Sequence, residues 1–137
     1  MKNYFNLILI TLIFFMASHR LSAQTTCPNK PSYQTKFISD GSPGFRLPYS
    51  LVFEVVGDSL YIREGANSKV NFLEFKILSK RCSWNTDFTF GNATYQLEIF
   101  IKEKKEVPIL NIIIKEAGIT YIELLYPDSE KRIFESQ

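Results

Sequence analysis

From Tyr49 onward, apolar and polar residues alternate in short runs separated by turn signals. Ser50 to Val56 (SLVFEVV) meets Gly57-Asp58 and returns as Ser59 to Arg63 (SLYIR), a pattern that predicts a β-hairpin. After the break at Gly65 to Ser68, Val70 to Ser79 puts Leu73, Phe75 and Ile77 on one face and Glu74 and Lys76 on the other. That period of two belongs to a half-buried strand. Thr94 to Lys102 repeats it, with Tyr95, Leu97, Ile99 and Ile101 on one side and a charged hairpin tip at Glu103 to Glu106. Val107 to Ile114 and Ile119 to Tyr126 flank Ala117-Gly118, and Pro127 to Ser129 turns into a last short strand, Lys131 to Glu135.

Apolar residues at i, i+3, i+4 and i+7 are missing, and β-branched and aromatic residues dominate, so no helix is expected. Six to eight strands with short connections predict an all-β fold, an antiparallel up-and-down meander closed or partly closed into a barrel. A β-sandwich is the alternative. Residues 24–48 carry Pro28, Pro31, Pro43, Pro48, Gly41 and Gly44, and read as an irregular arm with one short strand at Lys36 to Ser39. The antiparallel domain is then expected to occupy residues 49–137.

Composition enters through the first 23 residues. Lys2 precedes an apolar run, Leu7 to Phe15, and Leu21-Ser22-Ala23 ends in a small residue before Gln24. This is the layout of a cleaved signal peptide; the run is too short to span a bilayer comfortably. Export to the periplasm or the exterior is expected, without a stable membrane anchor. Cleavage removes His19, the only histidine, and with Lys2 and Arg20 it takes the whole excess of positive charge, leaving basic residues equal to the 14 acidic ones. A balanced chain offers no broad basic surface for nucleic acid.

Cys27 and Cys82 both lie beyond the cut. In an exported chain two cysteines are expected to pair, and two alone do not make a structural zinc site. In the chain-entropy model such a bond contributes roughly 4 kcal/mol.

A signal ending Ser22-Ala23-Gln24, the hairpin FEVVGDSLYIR (Phe53 to Arg63), Cys82-Ser83-Trp84 after a long strand, and a meander to the C-terminus form one pattern. In these features the chain resembles the short exported lipocalin-like, calycin-type proteins of bacteria. The resemblance covers Tyr49 to Glu135. It implies an up-and-down β-barrel whose mouth or interior holds a small apolar molecule.

Loss of the histidine excludes a Ser-His-Asp triad, a Cys-His pair and the usual zinc sites. A hydrolase using carboxylates alone stays open, although Glu54, Glu74, Glu98 and Glu123 alternate with apolar positions and read as solvated strand faces. No catalytic residue, metal or cofactor is expected. The segment Arg81 to Phe90 (RCSWNTDFTF) collects unusual residues. Arg81, Trp84, Asn85, Asp87 and Phe88 are the candidate ligand or partner contacts, because tryptophan and arginine are enriched at binding hot spots. The plainer reading is that Cys82 staples the loop and Trp84 covers the end of the core.

Val107 to Tyr126 is apolar on both faces, with Ile109 and Ile113 opposing Leu110, Ile112 and Ile114. The N-terminal arm, a protein partner, a second copy forming a homodimer, or an enclosed ligand would each cover the surplus. The leading reading is a non-enzymatic exported binding module for a small apolar ligand, with a cavity lined by Phe53, Phe75, Leu97 and Ile99. The alternative is a protein-binding envelope or inhibitor-type module with a filled core.

Overall fold

The structure, a computed structural model, describes residues 26–29, 31–42, 44–65, 71–128 and 130–137. The expected signal peptide and its cleavage site lie outside these residues. The described chain forms β1 (Ser32–Ser39), β2 (Leu47–Val56), β3 (Ser59–Glu64), β4 (Asn71–Trp84), β5 (Gly91–Ile101), β6 (Lys104–Glu106), β7 (Ile109–Ile114), β8 (Thr120–Leu125) and β9 (Lys131–Glu135). All pairings are antiparallel, and each barrel strand pairs with its neighbours in the chain. The ring closes where Phe37 faces Glu135 and Ser39 faces Ile133. The result is an eight-strand up-and-down barrel with β6 as an extra strand, not a sandwich.

Alternation explains the core. Leu60 and Ile62 of β3, Phe75 and Ile77 of β4, Tyr95 and Leu97 of β5, Leu110 and Ile112 of β7, and Ile122 and Leu124 of β8 all point inward and are buried. Glu74, Lys76 and Gln96 point out. An eight-strand barrel has an interior about wide enough for side chains to fill. Phe53, Phe75, Leu97 and Leu110 fill this one, with no exposed surface.

Three boundaries differ from expectation, each for a physical reason. The stretch expected to be an irregular arm contributes a whole barrel stave, because Tyr33 and Thr35 alternate inward and β1 pairs with both β2 and β9. β4 runs on through Arg81 to Trp84, since its partner β5 starts at Gly91. A Cβ on Gly91, at φ +145°, would lie 2.7 Å from Trp84 Cα, so only glycine permits that pairing. The hairpin tip is Lys102-Glu103 rather than residues 103–106; both adopt positive φ, and Lys104 to Glu106 fold back on Ile99 to Ile101.

Consecutive hairpins send alternate connections to opposite ends. One end holds Gly57-Asp58, residues 85–90 and residues 115–119, together with Trp84 and the Cys27–Cys82 disulfide. The other holds residues 40–42 and 44–46, Lys102-Glu103 and Tyr126 to Asp128.

Candidate functional site

The five expected contact residues sit at the stapled end, but they do not converge. Trp84 points into the core with 1% of its surface exposed, parallel to Tyr33 with ring centroids 6.5 Å apart. Arg81, Asp87 and Phe88 are exposed. Asn85 organises the loop: its Oδ1 accepts the Thr89 and Phe90 N–H groups at 2.8 and 3.1 Å, and its Nδ2 donates to Thr89 Oγ1. The half-buried Cys27 packs against the core beside this plug and bonds to Cys82, closing a separation of 55 residues. The bond is consistent with an oxidising, exported environment.

A cavity lined by Phe53, Phe75, Leu97 and Ile99 is not what the fold provides, because these side chains are the packed core itself. The space is at the opposite end. A cleft of about 620 Å³ opens there between Leu73 of β4, Ile101, Lys102, Lys104 and Glu106 of the β5–β6 hairpin, and Tyr126, Asp128, Glu130 and Arg132 beside the β8–β9 turn. Beneath it lies a recess of about 60 Å³ lined by Ile38, Tyr49, Leu51, Ile62, Leu124 and Phe134. Leu73, Tyr126 and Arg132 belong to both.

The rim is charged and largely self-neutralised. Lys104 Nζ lies 2.7 Å from Glu106 Oε1, and Arg132 Nη2 lies 2.6 Å from Glu130 Oε1. The hydrogen bond from Lys104 to Glu106 holds the ammonium pKa above its ordinary value. The Asp128 carboxylate accepts the Glu130 N–H at 3.1 Å and fixes the turn. Burial pushes the Tyr126 hydroxyl pKa up; nearby Arg132 opposes the shift, while Glu130, Asp128 and Glu106 add to it. An apolar floor, one phenol and a ring of ion pairs suit reversible binding of a small amphiphile. Among the described residues, no group of three or more His, Cys, Asp or Glu side chains could hold a metal ion.

No family model matches the chain, and no curated protein or solved structure does. The architecture fits a lipocalin-like barrel in general.

The sequence reading missed the open-end residues because none stands out alone. A usable signal was the meander itself, in which every second turn shares an end. That rule brings Lys102-Glu103 and Pro127-Asp128 together.

Proposed function

We propose that this protein is an exported, non-enzymatic binding module that takes a small ligand with an apolar part at the open mouth of its barrel. The observation that carries the reading is the continuity of the cleft with the recess below it, through Leu73, Tyr126 and Arg132. The packed interior supports a mouth site over an internal one. The balanced rim argues against nucleic acid and polyanions as ligands. A catalytic role has the least support, because no histidine follows His19.

A neutral apolar dye such as N-phenyl-1-naphthylamine should bind the folded, disulfide-bonded protein at about one site. Leu73→Asp should weaken that binding more than tenfold, whereas Ile113→Ser, on the outer face of β7, should not. Undiminished binding to the Leu73 variant would remove the reading.

A protein-binding role is the second reading. It rests on Ile109 and Ile113, which are 42% and 38% exposed on the outer face of β7.

A further inference from the structure

The two compartments of the open-end cleft constrain what fits. The recess of about 60 Å³ has room for on the order of four waters, the scale of one short branched hydrocarbon group. It does not continue inward, since Phe53, Phe75, Leu97 and Leu110 occupy the barrel axis. A long acyl chain therefore finds no channel below the recess.

The rim constrains the polar part. Its cations are Lys102, Lys104 and Arg132; its anions are Glu106, Asp128 and Glu130. Glu106 holds Lys104 and Glu130 holds Arg132. Among the described residues, neither Lys102 nor Asp128 makes an ion pair. Among the described residues the cleft thus keeps one ammonium, Lys102, and one carboxylate, Asp128, outside its close ion pairs and above an apolar floor; Asp128 accepts the Glu130 N–H and lies in the field of Lys104. A purely anionic ligand would meet three carboxylates, and a purely cationic one would meet three cations. A molecule with both charges satisfies both groups at once.

We infer that the cleft takes a small zwitterion with one short apolar group, its carboxylate on Lys102, its ammonium on Asp128 and its hydrocarbon in the recess. The inference rests on the ligand-binding reading above. It gives that reading a chemical class, that of an apolar amino acid or a short peptide.

The test is an NMR titration of the full disulfide-bonded protein, read at Leu73 and Ile101 methyls and the Tyr126 ring. The probes are leucine, glycyl-leucine, isovalerate, isopentylamine and decanoate. Leucine or glycyl-leucine should shift these signals at least tenfold more tightly than the two singly charged analogues. Whichever of the two binds tighter identifies a free amino acid or a peptide as the source. Asp128→Asn should abolish the preference over isovalerate, and Lys102→Gln the preference over isopentylamine, each leaving the other preference in place. Decanoate binding tighter than both zwitterions, or equal binding of all probes, would overturn the inference and leave the mouth site standing. If neither these probes nor the naphthylamine dye perturbs the cleft, the ligand-binding reading fails with it.

Discussion

At the stapled end, Trp84 closes the core, Asn85 ties residues 85–90 into a compact loop, and Cys82 anchors Cys27. At the open end, Leu73, Tyr126 and Arg132 stand around a cleft of about 620 Å³. Both ends are made of hairpin turns on the same strands, yet one buries its aromatic residue and the other half-exposes it. The difference follows from what each end has to fill the axis. A tryptophan held by the β4–β5 pairing completes one layer of the barrel, while among the described residues the recess beside Ile62 and Leu124 at the other end is bounded by the half-buried Leu73 and Tyr126. Ligand space in a narrow, filled barrel is thus to be sought at a mouth rather than along the axis.

The comparison would break if core and mouth positions proved equally costly to truncate. Phe75→Ala removes a fully buried ring and should destabilise the domain by about 3–5 kcal/mol. Leu73→Ala, half-buried at the cleft, should cost much less and chiefly weaken ligand binding. Urea unfolding of both variants measures this; equal losses would mean that the mouth is as structural as the core.

Removing the Cys27–Cys82 bond by paired substitution to serine should cost roughly 2–4 kcal/mol, read from the shift in urea midpoint. Dye binding at the far end should survive while the protein stays folded. Loss of dye binding in the folded variant would show that the two ends are coupled.

The buried phenols sharpen the contrast through pH. Burial raises the pKa of Tyr33 and of Tyr95, and their proximity raises that of Tyr33 further. The unfolded chain releases these protons near 10.0, before the folded protein does. Their stabilising effect is therefore complete below that pH and declines as pH rises above it. Neither hydroxyl has a hydrogen-bond partner among the described residues. Tyr95→Phe should then leave stability at neutral pH unchanged or raised, and should flatten the alkaline decline. A steeper decline in the variant would contradict the assigned cause.

The smallest effect is expected on the outer face. Glu74→Gln, exposed on β4 opposite Phe75 in the alternation, should change stability by less than about 0.5 kcal/mol. A larger loss would mean that the outer face of β4 is covered.

The alternation along residues 50–56, 59–63, 70–79, 94–102 and 107–126 was enough to establish an all-β meander and to sort Phe75 and Leu97 from Glu74; Glu98, read as a solvated position, is half-buried beside Lys105. Side-chain period depends only on the local backbone, so it is written into consecutive residues. The pairing of Cys27 with Cys82 was legible too, because no other cysteine competes. The stave at Ser32–Ser39 and the position of the cleft were not. Prolines and glycines around β1 masked a strand that exists because β2 and β9 supply its hydrogen bonds from both sides. Leu73, Lys102, Tyr126, Asp128 and Arg132 are scattered across three connections, and only barrel closure makes them neighbours. Trp84 admitted two readings, a contact residue or a cover for the end of the core, for the same reason: whether an aromatic residue faces solvent or a core depends on the strands that surround it, and those pairings are non-local.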